Sequence, residues 1–529
     1  MALDRRYWIW DLVLLLALST ALRAHNLGAL SFCSEEADNA LIARTCLQTG
    51  HFIQPESQPS SDGLLYPWIT ASLFNHFGES EWIARFPSAF FGALTTLWVY
   101  LWASHWFGSW VGRCAGFLFA VWPWSVAWGR IGQYESLLAF LFVLIVVSVW
   151  KMLECNCLGH PMAEPPRVAG RRPLTIRRFF KLIPFLLLAL LAHFTSYLTH
   201  FALFFLPGYL LIRLSWSWFR GRFIDSEFKR SLQYLFAGLL VAGVGILALV
   251  YLSPAVFLKN QEQQETTGGS LCYIHIIREQ FGWAFMGFLI LGTGMALKSG
   301  RPGWLVFSAA WFPFIAQGLL LEKCQPDSIY YTFPFMVILA AIPIGWGTEM
   351  VKERVNQWSA PGVHWNWRGI TGLLLLGLSV EMVLSNVFIS RAATSQVVTG
   401  ASDSVACGSL DWRGMTDLVP RASGNVKIIS TDAIPVYYYL GRVDFVFPLK
   451  EGGRIQVIPG VSVQGIRSPA ELVTALADGR ETWIFGEKSR LAEMRRTPTG
   501  ADLWSILTLP PSRVWEGPLE IVICYPKKR

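Results

Sequence analysis

The segment 34–44, SEEADNALIAR, holds the residues whose types and spacing best suit chemistry. Glu35, Glu36 and Asp38 follow closely on a long apolar run at 7–27. A carboxylate at such a place can take a proton from a substrate or hold a cation. Successive residues of a helix point about 100° apart, so only one of Glu35 and Glu36 can face a given site. The other is then available to orient it or to hold a partner.

A helix cap is the structural alternative for the same residues. Ser34 has the right type for an N-cap, and acidic side chains in the first turn complement the helix dipole. The segment alone favours this alternative, so the weight of the functional interpretation depends on what surrounds it.

The composition requires a membrane. Of the 529 residues, 53% are hydrophobic and only 15% charged, whereas a soluble domain is about 25% charged. The apolar residues form continuous runs, which excludes a soluble enzyme, a disordered chain and a disulfide miniprotein and argues against a β-barrel. The net charge of +8 fits basic cytoplasmic loops better than nucleic-acid binding, for which no motif is present.

We predict about eleven transmembrane helices, an α-helical polytopic fold. The runs lie near 7–27, 87–107, 111–128, 134–153, 179–197, 199–215, 232–254, 281–297, 303–320, 332–347 and 369–390. With the N-terminus in the cytoplasm, the cytoplasmic connections hold twenty Lys and Arg residues and the opposite loops six. This asymmetry predicts a multi-pass protein of the cell (inner or plasma) membrane with an extracytoplasmic C-terminus.

A small α/β domain is predicted after the last span. We divide the chain into a membrane domain at 1–390, whose first extracytoplasmic loop is 28–86, and a soluble domain at 391–529. Segments 426–431, 481–487 and 519–525 are typical of strands, 436–441 of a strand or strand–helix edge, and 468–479 and 490–497 of helices.

A set of motifs between 34 and 108 resembles the GT-C superfamily of membrane glycosyltransferases. The similarity is greatest to the family 39-like branch of protein O-mannosyltransferases and lipid A aminoarabinose transferases. It is carried by EEADNALIAR (35–44), TGHFIQP (49–55), LLYPWI (64–69) and GESEWIARFPSAFFGALTTLWVYLWASHWFG (78–108), and also by WGRIGQYESLLAF (128–140) and IYYTFPFMVILAAIP (329–343). The segment DWRG (411–414) matches more loosely.

The resemblance implies transfer of a sugar from a polyprenyl-phosphate donor to a lipid, glycan or protein acceptor on the extracytoplasmic side. Glu35 is then the general base of an inverting displacement, and Glu36 positions the acceptor or a partner cation. Asp38 is a weaker alternative base. The branch implies no cofactor, although a divalent metal would fit if Glu35, Glu36 and Glu135 converged.

Binding the donor phosphate or the acceptor requires further residues on the same side. The candidates that the resemblance implies are Asp38, Arg85, Arg130, Glu135, Lys323, Tyr330 and Tyr331, with Arg278, His193 and His200 as weaker ones. Each has a structural alternative. Arg85 could anchor the helix at the interface, Arg130 could pair with Glu135, and tyrosines at a span end commonly form the aromatic belt.

Two departures from the branch keep other functions open. Glu35 stands where the branch has Asp, and the Lys that precedes the Pro-Pro-Leu of the aminoarabinose transferases is missing from SDGLLYPW. A non-catalytic GT-C-fold subunit therefore stays an alternative, and a transporter of lipid-linked sugars a weaker one, because we see no inverted repeat. Cys407 and Cys524 bracket the soluble domain, and a disulfide between them is expected in an oxidising compartment.

Overall fold

The computed structural model of the protein describes residues 8–51, 63–155, 183–196, 198–219, 272–320, 327–358, 411–419, 426–447 and parts of 463–525. Two of the expected spans, 232–254 and 369–390, lie outside these residues. So does the boundary expected at 390–391.

Helices make up the membrane part and the segments beside it. They are α1 (Trp8–Ala24), α2 (Ser34–Thr49), α3 (Leu65–Phe77), α4 (Glu81–Phe107), α5 (Ser109–Val121), α6 (Pro123–Trp128), α7 (Glu135–Cys155), α8 (Ile183–Thr195), α9 (Thr199–Ala202), α10 (Phe205–Phe219), α11 (Cys272–Lys298), α12 (Arg301–Leu320) and α13 (Phe333–Trp358). A 3-10 turn, Asp327–Thr332, precedes α13.

Three described helical stretches are long and apolar enough to cross a membrane: Glu81–Phe107, Glu135–Met152 and Ser328–Met350. The third predicted span, 111–128, is broken instead into α5 and α6. Trp122 is extended at the break, and Pro123 begins α6. Proline has no N–H for the preceding helix and its ring disfavours helical geometry in the residue before it, so the chain bends there.

The bundle packs around α4, α5 and α13. Helix α4 contacts α1, α5 and α7, while α13 packs on α5 and α11. Two glycines, Gly92 and Gly129, let the backbone approach the buried Arg23 at the end of α1. A Cβ at either position would lie within 2.8 Å of the Arg23 side chain. The predicted helical membrane fold is therefore confirmed in the described residues.

The soluble domain is an α/β sandwich of one six-stranded sheet. Its strands are β1 (Val426–Ser430), β2 (Phe445–Val446), β3 (Gln464–Gly465), β4 (Glu481–Glu487), β5 (Arg513–Glu516) and β6 (Glu520–Tyr525). The order is β3-β2-β1-β4-β6-β5. The first four strands are parallel, and β6 runs antiparallel to both β4 and β5.

Short helices cover both faces of this sheet: α14 (Trp412–Asp417), α15 (Ala433–Leu440) and α16 (Pro469–Ala477). Successive residues of β1 pack on opposite faces of the sheet: Ile428 belongs to the core that contains Trp412, and Ile429 to the core that contains Leu472. The α/β prediction is thus confirmed, with strands at 426–430, 481–487 and 520–525. The segment 436–441 falls in α15 rather than in a strand, and most of 490–497 lies outside the described residues.

The cysteine expectation was wrong. Cys524 is a thiol whose Sγ lies 3.7 Å from Glu481 Oε1, so it does not form the expected bridge with Cys407. Cys33, immediately before α2, is disulfide-bonded.

Candidate functional site

Helix α2 is held at its first turn by Glu36. The chain is extended at Cys33, which is the N-cap in place of the expected Ser34. Glu36 Oε2 accepts a hydrogen bond from Cys33 N at 3.2 Å. This reach back to the N-cap satisfies one backbone N–H that the helix leaves unpaired. The capping alternative therefore holds for Glu36, and it leaves Glu35 on a different side of the helix.

The partner cation of Glu36 is Arg85, from the first turns of α4. Arg85 Nε and Nη2 donate to the two Glu36 oxygens at 2.7 and 2.6 Å. The remaining Arg85 N–H groups donate to the carbonyls of Leu27, Leu30 and Ser31 at 2.8–3.0 Å. Both side chains are buried. In this structure every polar group of Arg85 faces protein, so none is available to the donor phosphate for which Arg85 was a candidate.

The turn 129–134 between α6 and α7 lies against α2. Gly132 N donates to Glu36 Oε1 at 2.6 Å, and Asn39 Nδ2 donates to Gly132 O at 3.4 Å. A Cβ on Gly132 would come within 3.3 Å of Glu36 Oε1, so this approach favours glycine. The turn therefore sits in a fixed place over the first turns of α2.

Glu35 is exposed at the junction of α2, this turn and the soluble domain. Its Oε2 accepts a hydrogen bond from Gln133 Nε2 at 2.5 Å. Among the residues that the structure describes, none bonds to Oε1. Desolvation of the carboxylate by the surrounding protein raises the pKa of Glu35, and the nearby charges of Glu36 and Asp432 raise it further, while the Gln133 bond lowers it.

The soluble domain packs directly on α2. Ser34 Oγ donates to Asp432 Oδ1 at 3.2 Å. Tyr439 Oη accepts from Phe32 N at 2.8 Å and donates to Glu81 Oε1 at 3.0 Å. Phe32 is buried against the rings of Tyr438 and Tyr439. Asp432, two residues after the end of β1, therefore contacts Ser34, which directly precedes Glu35 in the chain.

A second set of contacts ties the soluble domain to the loop before α2. Trp412 N donates to Ser31 Oγ at 3.0 Å, and Arg413 forms an ion pair with Glu81 at 3.2 Å. The segment DWRG, which matches the family motifs only loosely, thus contributes to the interface.

Arg130 differs from Arg85 in how many of its N–H groups donate to described protein acceptors. Its Nη1 donates to the carbonyls of Leu22, Arg23 and His25, which end α1. Within the described part of the chain, its Nε and Nη2 donate to no protein acceptor. Burial, together with the charge of Arg85, lowers the pKa of Arg130 to about 10. Arg130 is therefore still charged at neutral pH and is partly desolvated, which favours an anionic ligand.

The remaining candidates fall into two groups. Glu135, at the start of α7, is buried near Tyr66 and Tyr330, and Asp38 is half-buried on α2. Tyr330 and Tyr331 are 0% and 1% exposed. They pack in the aromatic core, so they offer no surface to a sugar and do not form an interfacial belt.

Other candidates lie away from the junction or beyond description. Lys323 and the Arg278 side chain fall outside the described residues. His193 and His200 face one another with ring centroids 5.1 Å apart beside the break between α8 and α9. In the described ranges, no three His, Cys, Asp or Glu side chains converge as a metal site. Both Glu36 oxygens already accept protein donors, so Glu36 does not join Glu35 and Glu135 around a cation here.

Sequence reasoning missed three residues of the site. Gln133 is not among the candidate residues of the sequence analysis, and Asp432 lies almost four hundred positions from Glu35 with no motif to connect them. Arg23 reads as an ordinary arginine at a span end, yet it is buried and donates to Ser19 Oγ and Ser125 Oγ at 2.6 Å each. The signal for Gln133 was present: it lies in the same short turn as Arg130.

The chain is similar to known proteins in part of its sequence and in its fold. Residues 58–159 match the family model described as dolichyl-phosphate-mannose-protein mannosyltransferase. No curated protein matches the sequence.

Solved structures of two other proteins share the architecture of this chain. The crystal structure of ArnT from Cupriavidus metallidurans in the apo state aligns with a TM-score of 0.57 at 15% identity, covering 99% of this chain and 98% of that one. The same protein bound to undecaprenyl phosphate aligns with the same values. The oligosaccharyltransferase AglB from Archaeoglobus fulgidus, in complex with an inhibitory peptide and a dolichol-phosphate, aligns with a TM-score of 0.57 at 14% identity, covering 93% and 71%. The chain therefore has the GT-C fold and resembles ArnT and the protein O-mannosyltransferases.

Proposed function

We propose that the protein is an integral-membrane glycosyltransferase. It takes a sugar from a polyprenyl-phosphate donor and passes it to an acceptor at the end of the bundle that carries α2, which we call the α2 end. The observation that carries this proposal is Glu35: an exposed carboxylate at the domain junction, with Oε2 bonded to Gln133 and Oε1 open to a ligand.

A lipid-linked donor is supported by two observations. ArnT and AglB, which share the fold, have been solved with undecaprenyl phosphate and dolichol-phosphate respectively. In this chain Arg130 keeps two N–H-bearing nitrogens unused by protein among the described residues, and it lies three positions before the residue that bonds Glu35. We propose that Arg130 binds the donor phosphate, because charge grows on that phosphate as it leaves.

The proposed reaction is a single displacement. Glu35 Oε1 takes the proton of the acceptor hydroxyl or amine while the acceptor oxygen or nitrogen forms a bond to the anomeric carbon. The bond from that carbon to the phosphate oxygen breaks, and its electron pair stays on the polyprenyl phosphate. Attack opposite the leaving group inverts the anomeric centre. The raised pKa of Glu35 makes it a stronger base than an ordinary carboxylate.

The neighbouring residues act as scaffold in this scheme. Glu36 and Arg85 fix α2 against α4 and the turn 129–134, and the reaction as proposed uses no metal. The hexose or pentose identity of the sugar and the class of acceptor are left to experiment. We also propose that the α2 end is extracytoplasmic, with the N-terminus in the cytoplasm of the cell membrane, because of the distribution of basic residues.

Glu35→Gln tests the proposal in purified protein reconstituted in nanodiscs. A panel of undecaprenyl-phosphate-linked sugars is supplied with membrane extract as the acceptor source, and release of undecaprenyl phosphate is measured, since every donor yields that product. We expect the variant to lose about a hundred-fold or more in rate, as for other general bases.

Glu79→Gln is the matched control. Glu79 is also an acidic residue of the α2 end, but it pairs with Arg44 at the surface. It should release undecaprenyl phosphate at the wild-type rate. Equal rates for Glu35→Gln and wild type would remove Glu35 as the base. Absence of release from every donor in the wild type would favour a non-catalytic GT-C-fold subunit.

A further inference from the structure

The side chain of Gln133 contacts the proposed base, Glu35. Gln133 is only 5% exposed. Its amide Nε2 reaches Glu35 Oε2 at 2.5 Å. A buried amide must satisfy its donors and acceptor, and here one donor is spent on a carboxylate that is itself exposed.

The backbone of Gln133 is anchored on both sides of that side chain. Gln133 N donates to Ile131 O at 2.8 Å within the turn. Ser88 Oγ, on α4, donates to Gln133 O at 2.7 Å. The preceding residue, Gly132, is bonded to Glu36. Rotation of the turn would break bonds to two other helices, so Gln133 cannot move relative to α2 without a substantial cost.

A further layer holds Ser88 in place. Tyr66 Oη, on α3, lies 2.9 Å from Ser88 Oγ and donates to Ala84 O at 2.8 Å. Tyr66 and Ser88 are buried, at 1% and 0% exposed. These hydrogen bonds and the close contact between Tyr66 and Ser88 therefore link α3 and α4 to the turn whose Gln133 amide bonds Glu35. Buried and connected polar groups of this kind fix geometry because each broken bond leaves an unpaired polar group.

We propose that Gln133 is the positioning residue of the reaction: its amide holds Glu35 Oε2 and so directs Oε1 towards the acceptor proton. The proposal rests on the glycosyltransferase function proposed above. Gln133 touches neither acceptor nor donor in this scheme, and it acts through Glu35. A neutral amide suits the task because it donates to the carboxylate without neutralising it, whereas an Arg or Lys would form an ion pair and weaken the base.

The charges that face Glu35 make this donor important. Glu36 on the same helix and Asp432 from the soluble domain are both acidic and disfavour the ionised form of Glu35. Arg85 is engaged by Glu36, and Arg130 lies in the same turn as Gln133. Gln133 is the neutral donor that favours the carboxylate form against these two negative neighbours. Its removal should therefore both free the Glu35 side chain and stabilise its protonated form.

The test uses Gln133→Met, which keeps the length and approximate volume of the side chain but cannot donate. Full-length protein in nanodiscs is treated with a hydrophobic carbodiimide across pH 4–9, and labelling of Glu35 is measured by peptide mass spectrometry. Carbodiimides react with the protonated carboxyl, so the midpoint of labelling reports the pKa of Glu35 without a known substrate. We expect the Gln133→Met midpoint to lie about one pH unit above that of wild type, from the loss of one hydrogen bond to a charged group.

Gln317→Met is the matched control. Gln317 is also a buried glutamine, but its Nε2 donates to the carbonyl of Ser328 rather than to a carboxylate. A change that only loosens packing would not move the Glu35 midpoint, so Gln317→Met should label like wild type. An unchanged midpoint in a folded Gln133→Met protein would overturn the proposal. A midpoint shifted equally by both variants would overturn it as well.

The pH dependence of the transfer rate distinguishes a failure of this proposal from a failure of the proposed function on which it rests. In Gln133→Met, undecaprenyl phosphate release should lose about ten-fold at neutral pH and recover as the pH rises. If Glu35→Gln retains full activity, the proposed base is wrong whatever Gln133 does. If Glu35→Gln is inactive while Gln133→Met keeps both the wild-type midpoint and the wild-type pH profile, only the role of Gln133 fails.

Discussion

The ion pair between Glu36 and Arg85 makes a prediction about stability rather than catalysis. Glu36→Gln removes one charge and leaves Arg85 buried, with two of its five N–H groups facing a neutral amide. Gln can still accept one of those bonds, but in either orientation its NH₂ group faces an Arg85 N–H together with a backbone donor, Gly132 N or Cys33 N. Removing one partner of a buried ion pair costs about 3–5 kcal/mol because the other charge stays uncompensated. We expect a loss of that size in the free energy of unfolding.

The exposed pair Arg44–Glu79 provides the comparison within the same chain. Its N···O distance is 2.7 Å, close to the 2.6 Å of Arg85–Glu36, but its side chains are 24% and 37% exposed rather than 7% and 2%. Glu79→Gln should cost less than about 1 kcal/mol, because solvent screens an exposed pair. Distance is therefore matched in the two variants, and burial is what differs.

Both variants are unfolded by heat in the same detergent, and unfolding is monitored by tryptophan fluorescence. Where the protein refolds, the free energy of unfolding is measured from the reversible transition. Glu36→Gln should unfold well below Glu79→Gln. The double variant Glu36→Gln with Arg85→Met should recover part of the loss, since it removes the orphaned charge. Equal unfolding temperatures for the two single variants would refute the inference that Glu36 and Arg85 form the anchor of α2.

Three further outcomes follow from the same geometry. A general base must be ionised, and the pKa of Glu35 is raised. The transfer rate should therefore rise with pH over a range above that of an ordinary glutamate. A rise in the ordinary range would show that desolvation and the neighbouring carboxylates do not raise the pKa of the base. Arg130→Gln should weaken binding of undecaprenyl phosphate by about ten-fold or more in a nanodisc competition assay, while Arg130→Lys should retain part of it; unchanged binding would remove Arg130 from the phosphate site. Tyr439→Phe deletes the bonds to Phe32 N and Glu81 and should speed proteolytic release of the soluble domain, with Tyr525→Phe, on the far strand β6, as the variant that should not.

The helices and the acidic motif could be predicted because they depend on local features of the sequence. A continuous apolar run of this length is stable in lipid as a helix, because a helix satisfies its own backbone hydrogen bonds. These runs therefore predicted the bounds of α1, α7 and α12 to within a few residues. The strand ETWIFGE matched β4 residue for residue, since β-branched and aromatic residues bounded by charges leave few alternatives. By contrast, VYYYLG looks like a strand from its composition, but the docking of Tyr438 and Tyr439 on Phe32 favours a helix there. Tertiary packing decided where local preference was ambiguous.

The roles within the site could not be read from residue type. Arg85 and Arg130 are both arginines at span ends on the same side, and the sequence makes both of them candidates for binding the donor phosphate. Their difference comes from the carbonyls around them. The loop 27–31 folds back over Arg85 and consumes its donors, whereas the end of α1 occupies only Nη1 of Arg130. Hydrogen-bond capacity is a property of the folded surroundings, so no spacing rule could have separated the two.

The soluble domain contributes a charged residue, Asp432, to the surroundings of Glu35. Asp432 lies two residues after β1, the strand flanked by β2 and β4, and its side chain contacts Ser34 in the first turn of α2. The chain passes from β1 to β2 and β3 on one side of β1 and then crosses to β4 on the other side. The carboxyl end of β1 is therefore the topological switch point, where open α/β sheets usually bind ligands. Here that edge adjoins the helix that carries Glu35. A displacement of the sheet would therefore change the negative charge beside the proposed base and the width of the junction at the same time. Asp432→Asn, which keeps an acceptor for Ser34 Oγ, should lower the carbodiimide-labelling midpoint of Glu35 without releasing the domain to protease. A midpoint that does not fall would show that the two carboxyl groups are electrostatically independent, and the soluble domain would then be a cover for α2 rather than a part of the site.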